Sequence, residues 1–240
     1  MSAQSSDATS VIGRLDVSVE IGDVGTRWMC PRAAVAVLTL AHGAGAGMES
    51  GTMRALADAL AARHIATLRF NFPFMERPSA AQHRARVDPR PVATQTIAAA
   101  AQLAGELAPT LPLFLAGHSF GGRMSSHAWL EHRIDRARGL VFCAFPLHPA
   151  GKPSIERAAH LAAIDRPMLF LSGTRDALAE PHLLDGVIAR LGSRAERVRL
   201  ETADHSYKVL KRERTSTVPI FDEMADAIAA FCVRVAPEAR

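Results

Sequence analysis

Residues 113–122 read LFLAGHSFGG, a short apolar run followed by a serine between glycines. The run at 113–116 is typical of a buried strand, and residues 120–132 have the pattern of a helix. Gly117, Ser119 and Gly121 match G-x-S-x-G at the turn between the two elements, the context that gives this short motif its meaning. The stretch therefore predicts an α/β fold that presents Ser119 as a nucleophile above one edge of a sheet.

Outward from this stretch, apolar runs alternate with segments of helical period. Central strands are predicted at residues 34–41, 65–70, 113–116, 140–144, 168–171 and 197–201, after two antiparallel edge strands at 16–21 and 26–29. Helices are predicted at residues 53–61, 92–107, 120–132, 155–163, 180–191 and 220–235. This alternation predicts one α/β domain at residues 11–240, with a mostly parallel sheet and helices on both faces, after a flexible tail at residues 1–10.

A serine nucleophile needs a base within hydrogen-bond reach. Asp176 follows the predicted strand at 168–171, and His205 follows the predicted strand at 197–201. The carboxyl ends of parallel strands meet at one edge of a sheet, and the chain order Ser, Asp, His is the one that this motif requires. We therefore expect His205 to be the general base and Asp176 to be the acid that orients it.

Other acids and histidines are weaker candidates. Asp204 adjoins His205 and is expected to cap its loop, Asp165 precedes its strand, and Asp185 lies in the middle of a helix. Several further histidines lie in or beside predicted helices, where packing or surface roles are more common: His64, His127, His132 and His160.

The turn His42-Gly43-Ala44-Gly45 follows the first central strand. An HGxG turn in this position commonly gives one backbone N–H to an oxyanion hole, and the residue after the nucleophile gives the other. Ala44 and Phe120 are the donors that this predicts, with His42 shaping the turn. The alternative is a glycine turn without a ligand.

Five segments together resemble a known family: 38–50 (LTLAHGAGAGMES), 68–76 (LRFNFPFME), 115–124 (LAGHSFGGRM), 171–178 (LSGTRDAL) and 203–209 (ADHSYKV). They are similar to small α/β-hydrolase-fold serine hydrolases with a minimal cap. That family has bacterial members and animal relatives such as the testis-expressed hydrolase-like proteins. The resemblance extends over most of the chain.

The resemblance implies a dienelactone-hydrolase-like core with nucleophile Ser119, acid Asp176 and base His205. It departs from the dienelactone hydrolases themselves, because Ser119 stands where those enzymes use cysteine. The family implies a fold and a mechanism but no particular substrate.

The function that these residues favour is hydrolysis of a carboxylic ester or thioester through an acyl-Ser119 intermediate. The chemistry needs neither a metal nor an organic cofactor, and the expected partner is a small acyl substrate. Two alternatives stay open. The same residues can cleave C–C bonds or transfer acyl groups to acceptors other than water, and an α/β-hydrolase domain can also serve as a catalytically idle binding or scaffold protein.

Aromatic residues after the predicted strand at 65–70 are candidates for the substrate pocket. Phe72, Phe74, Met75 and Phe120 are expected to line the acyl pocket, with His42 beside it.

Residues 71–91 are rich in proline and have no sustained period, as expected of a lid or a pocket wall. Three arginines of this segment are candidates to attract an anionic substrate: Arg77, Arg84 and Arg86.

The chain of 240 residues is 48% hydrophobic and 22% charged, with a formal charge of +4. The basic residues are scattered, which argues against nucleic-acid binding. No apolar run is long enough to span a membrane, and residues 1–10 lack the features of a secretory signal. Cys30, Cys143 and Cys232 have no metal-ligand spacing and are expected to be small hydrophobic residues. These features predict a cytoplasmic protein, and they are compatible with a homo-oligomer.

Overall fold

The computed structural model describes residues 8–77 and 86–236. The described residues form eight strands: β1 Ala8–Ser18, β2 Gly22–Pro31, β3 Ala36–Ala41, β4 Ile65–Phe70, β5 Leu113–His118, β6 Ala137–Cys143, β7 Met168–Gly173 and β8 Ala195–Leu200. The helices are α1 Gly51–Ala61, α2 Pro73–Glu76, α3 Arg90–Leu107, α4 Phe120–His132, α5 Pro181–Leu191 and α6 Ile220–Val235. Two 3₁₀ helices lie at Glu156–Ala163 and Gly192–Arg194.

All eight described strands form one sheet, in the order β1-β2-β4-β3-β5-β6-β7-β8. The pairs β1–β2 and β2–β4 are antiparallel, and every later pair is parallel. The carboxyl ends of β3 to β8 therefore lie at one edge of the sheet, which is where open α/β sheets bind ligands.

Helices cover both faces of this sheet, which explains why the central strands β3, β4, β5 and β7 are buried along almost their whole length and mostly apolar. On one face α3 and α4 bury residues such as Ile97 and Met124 against the sheet. On the other face α1 and α6 bury residues such as Leu56 and Ile228. The predicted α/β architecture is confirmed.

Most element bounds agree with the sequence patterns to within a few residues. Helices α4 and α6 have the predicted ends, and Gly192, with φ 63°, ends α5. The short helix predicted at 155–163 is present at Glu156–Ala163 and is a 3₁₀ helix. None of the described helices is long and apolar enough to cross a membrane.

The amino-terminal prediction needs correction. Strand β1 begins at Ala8, whose partner is Pro31, so residues 8–10 belong to a hairpin and not to a tail. Of the edge strand predicted at 16–21, only residues 16–18 belong to β1, because residues 19–21 form the turn of the hairpin. The edge strand predicted at 26–29 lies within β2. The first half of β1 was missed because Thr9 and Ser10 are polar and Val11 and Ile12 are both exposed, so apolar and polar residues do not alternate there as a half-buried strand requires. Residues 1–7 lie outside the described part of the chain.

Candidate active site

Four loops that follow β3, β5, β7 and β8 meet at the carboxyl edge of the sheet. They carry residues 42–50, Ser119, Asp176 and His205, respectively. The parallel register brings these loops together although they are far apart in sequence.

Ser119 occupies a strained turn between β5 and α4. Its backbone has φ 51° and ψ −112°, which is unusual for a residue with a side chain. A Cβ at Gly117 would lie 2.5 Å from the carbonyl carbon of Gly121, and a Cβ at Gly121 would lie 2.5 Å from the oxygen of Ala41. Both glycines are therefore needed for this turn, and strain of this kind is characteristic of functional sites.

The structure brings Ser119, His205 and Asp176 into one hydrogen-bonded chain. The Nε2 atom of His205 lies 2.8 Å from the Oγ atom of Ser119. The Nδ1 atom of His205 lies 2.9 Å from each carboxylate oxygen of Asp176. Asp176 accepts the hydrogen from Nδ1, which leaves the lone pair of Nε2 facing the serine hydroxyl.

The side chains of Asp176 and His205 differ in how deeply they are buried, and this difference suits proton transfer. The Asp176 side chain is fully buried, whereas 21% of the His205 side chain is exposed. Asp176 also accepts a hydrogen bond from the backbone N–H of Leu178, at 2.8 Å, which fixes the carboxylate in its loop. Asp204 instead accepts the backbone N–H groups of Ser206 and Lys208, so its predicted role as a loop cap is confirmed.

His118, which the sequence did not single out, supports the loop of His205. Its Nε2 atom donates a hydrogen bond to the backbone oxygen of His205, at 3.0 Å. Burial lowers the pKa of His118 to about 4, so the ring is neutral at neutral pH. The signal available in the sequence was only its place next to Ser119.

A cavity of about 410 Å³ lies beside Ser119. Its walls come from residues 43–46 after β3, from the start of α1, from Leu178 and from residues 205–206. Ala44 is part of this wall, and Phe120 is the first residue of α4, directly after Ser119. The two predicted oxyanion donors thus lie on segments that border Ser119.

His42 determines how the Gly43–Ala44 peptide is turned. Its Nε2 atom accepts the backbone N–H of Phe72 at 3.0 Å, so Nδ1 carries the hydrogen and donates it to the oxygen of Gly43 at 2.7 Å. Because a trans peptide points its C=O and N–H in opposite directions, this bond turns the N–H of Ala44 away from the His42 ring. Burial lowers the pKa of His42 to about 4, which keeps the ring in this neutral form.

Two polar residues, one in β4 and one directly after it, form hydrogen bonds with the loop at residues 42–50. Buried Arg69 donates from Nη1 to the oxygen of Met48 at 2.8 Å, and Asn71 accepts the N–H of Met48 at 2.9 Å. Neither residue was predicted from the sequence. The signal available in the sequence was a pair of polar residues, one near the end of a buried strand and one directly after it, at the carboxyl edge of the sheet.

The residues predicted to line the substrate pocket are placed elsewhere, and this prediction needs correction. His42, Phe72 and Phe74 have no exposed surface, and none of them borders the cavity beside Ser119. The rings of Phe72 and Phe74 stack on each other, and both pack edge to face with His42 and with Phe120. Half-buried Met75 packs against this core. Mutual burial of these aromatic rings removes a large apolar area from water, and edge-to-face pairs add to that stabilisation.

The three arginines of the predicted lid have different surroundings. Arg77 forms an ion pair with the buried carboxylate of Asp88 at 2.5 Å, so it already has an anionic partner. Arg86 is exposed, and Arg84 lies among residues 78–85, outside the described part of the chain. The lid at 71–91 therefore stays a prediction.

Comparison with known proteins assigns the family. A family model described as an alpha/beta hydrolase domain matches residues 34–233, which include all four loops of the site.

Solved structures share the fold. A dienelactone hydrolase from Anabaena variabilis has a TM-score of 0.75 and 16% identity, covering 96% of this chain and 99% of that one. XC6422 from Xanthomonas campestris, described as an α/β serine hydrolase without a lid, has a TM-score of 0.67 and 22% identity, covering 96% and 97%. Est1E from Butyrivibrio proteoclasticus has a TM-score of 0.67 and 14% identity, covering 93% and 98%.

Proposed function

We propose that this chain, which belongs to the α/β-hydrolase domain family, is a serine hydrolase that cleaves a carboxylic ester or thioester through an acyl-Ser119 intermediate. The observation that carries the proposal is the position of His205, with Nε2 at 2.8 Å from the Ser119 hydroxyl and Nδ1 on Asp176. A hydroxyl beside such a lone pair is a nucleophile activated by a general base.

The proposed reaction has two halves. Nε2 of His205 takes the Ser119 proton while Oγ attacks the carbonyl carbon, and the N–H groups of Ala44 and Phe120 bind the oxyanion that forms. His205 then gives this proton to the leaving alcohol or thiol. In the second half a water molecule loses a proton to His205 and attacks the acyl carbon. The bond from that carbon to the Ser119 Oγ then breaks, and His205 returns the proton to Oγ. Asp176 holds the His205 tautomer and stabilises the imidazolium throughout.

Labelling with a fluorophosphonate probe tests this proposal without knowledge of the natural substrate. The wild-type protein should react at Ser119 and should hydrolyse short p-nitrophenyl esters and thioesters. Ser119→Ala should abolish labelling and should lower the hydrolysis rate by about 10⁴-fold or more, with unchanged folding by circular dichroism. Equal labelling of the two proteins would show that Ser119 is not the nucleophile.

The same experiment separates the alternatives. A catalytically idle binding domain predicts a wild-type protein that neither labels nor turns over esters. A C–C hydrolase or an acyltransferase predicts labelling of Ser119 but slow release of the acyl group to water. An added alcohol or amine acceptor that accelerates release beyond the water rate would favour acyl transfer.

A further inference from the structure

Arg123 lies one helical turn beyond Ser119 on α4. Its backbone N–H donates to the backbone oxygen of Ser119 at 3.1 Å. The side chain is half-buried, and its Nε atom is buried without a hydrogen-bond partner. Within residues 8–77 and 86–236, no acceptor or carboxylate pairs with any nitrogen of this guanidinium.

Other buried guanidinium groups are anchored, which sets Arg123 apart. Arg69 and Arg197 each have one buried nitrogen without a partner. However, Arg69 donates to the oxygen of Met48 at 2.8 Å, and Arg197 donates to the carboxylate of Asp185 at 2.6 Å. A half-buried charge with no partner of its own is unfavourable, and an anion that binds there removes that cost.

The surroundings of Arg123 are positive. Burial is the largest cause that lowers the pKa of Arg123, and repulsion by the neighbouring guanidinium groups of Arg157 and Arg90 lowers it further. The nearby carboxylate of Glu131 is already engaged, by Arg90 at 2.9 Å and by the hydroxyl of Thr94 at 2.8 Å. It therefore does not compensate the charge of Arg123.

Two histidines next to this cluster add no charge. The rings of His127 and His160 stack with their centres 3.8 Å apart. Burial, together with nearby cations, lowers the pKa of both rings to about 4, so they are neutral at neutral pH. They form a flat neutral surface beside the arginines and can report on an anion that binds there.

We propose that Arg123, assisted by Arg157, binds an anionic group of the substrate, a carboxylate or a phosphate. The proposal rests on the proposed function, because the anion would belong to the acyl group that Ser119 carries. Arg123 lies one turn of α4 after Ser119 and is not among the residues that line the cavity formed with residues 43–46. A guanidinium binds either group through paired hydrogen bonds, which a neutral acyl chain cannot offer. The enzyme would then prefer esters of short acids that end in an anion.

Matched ester substrates test this preference. The wild-type protein should have a higher kcat/KM for mono-p-nitrophenyl glutarate, or for the p-nitrophenyl ester of 4-phosphonobutyrate, than for neutral p-nitrophenyl valerate. Arg123→Gln should reduce this preference by about 10- to 100-fold, mainly through KM, and should leave the neutral ester almost unaffected. Arg190→Gln, which removes an exposed arginine of α5, is the matched control and should change nothing. An unchanged preference in Arg123→Gln would overturn the proposal.

A binding experiment separates this proposal from the hydrolase proposal. In Ser119→Ala, glutarate or inorganic phosphate should saturably shift the ring NMR signals of His127 and His160, and adding Arg123→Gln should abolish the shift. Glutarate binding alone identifies a carboxylate site, and phosphate binding alone identifies a phosphate site. If neither anion binds, the site is wrong even if esters are hydrolysed. If an anion binds but no ester is hydrolysed, the site stands and the hydrolase proposal fails.

Discussion

Two histidine–carboxylate pairs draw their carboxylates from the same loop after β7. In one pair, Nδ1 of His205 faces Asp176 and Nε2 faces the hydroxyl of Ser119. In the other pair, His148 is fully buried, its Nε2 bonds to the carboxylate of Glu180, and its Nδ1 lies 2.9 Å from the oxygen of Pro149.

The difference is what the second ring nitrogen faces. A general base needs a lone pair directed at a proton donor, and His205 directs one at a hydroxyl. Both nitrogens of His148 face acceptors, so neither presents a lone pair to a proton donor. Both histidines have a carboxylate partner, so that partner does not distinguish them. Of the two, only His205 also faces a hydroxyl beside a cavity, which suits it to catalysis. His148 instead ties the loop after β6 to the start of α5.

Replacing each histidine by glutamine tests this contrast most strongly. His205→Gln should lower kcat/KM for a p-nitrophenyl ester by about 10⁴-fold or more, because Ser119 loses its base. His148→Gln should instead lower the free energy of unfolding, by about 1 to 3 kcal/mol, because Glu180 loses a buried partner. Ester kinetics and urea denaturation of both variants measure the two effects. A folded His148→Gln protein that is as inactive as His205→Gln would show that His148 also takes part in catalysis.

The carboxylates give the next largest effect. Asp176→Asn should lower turnover by about 10³- to 10⁴-fold, because an amide favours the wrong tautomer of His205. Asp204→Asn is the matched control next to His205 in sequence. It should retain most of the activity, because within the described residues the Asp204 carboxylate accepts hydrogen bonds from backbone N–H groups of its own loop and not from His205. Kinetics of the two variants on one ester decide between them, and an inactive Asp204→Asn protein with an active Asp176→Asn protein would reverse the choice of acid.

Chain order and strand context were enough to predict which residues meet at the sheet edge. Ser119, Asp176 and His205 each follow an apolar run, and parallel strands bring such positions together whatever the details of the loops. The helix α4 was predictable to the residue because the glycine-flanked turn fixes where it begins.

Side-chain direction was not predictable in this way. Phe72 and Phe74 follow a strand at the same edge as the site, yet they are buried against His42 and not exposed to the cavity. The proline-rich sequence around them has no period from which their direction could be inferred. His148 was equally hidden, because its partner Glu180 is distant in sequence and only the tertiary fold brings them together.

His42 is a third kind of buried histidine, which bonds to backbone groups and not to a carboxylate. We expect the smallest effect from its replacement. It accepts from the N–H of Phe72 and donates to the oxygen of Gly43, so it must be neutral. Its pKa is lowered to about 4 by burial, whereas an unfolded histidine has a pKa of about 6.5. As the pH falls from about 6.5 to 4, the unfolded chain takes up a proton that the folded protein does not. The free energy of unfolding should therefore fall with pH, by at most about 1.4 kcal/mol per pH unit from His42.

His42→Gln removes this contribution while an amide keeps one donor and one acceptor. Urea denaturation between about pH 4.5 and 7 should show a shallower loss of stability in the variant, within the window where an unfolded histidine gains its proton. The loss should not vanish, because the pKa of His118 is also lowered to about 4 by burial and that residue is unchanged. The dependence of kcat/KM on pH should keep its shape, since we expect His42 to orient the Gly43–Ala44 peptide and not to transfer a proton. The opposite result would be an unchanged pH dependence of the free energy of unfolding together with an altered pH dependence of kcat/KM. It would show that His42 transfers a proton during catalysis, as we expect only of His205.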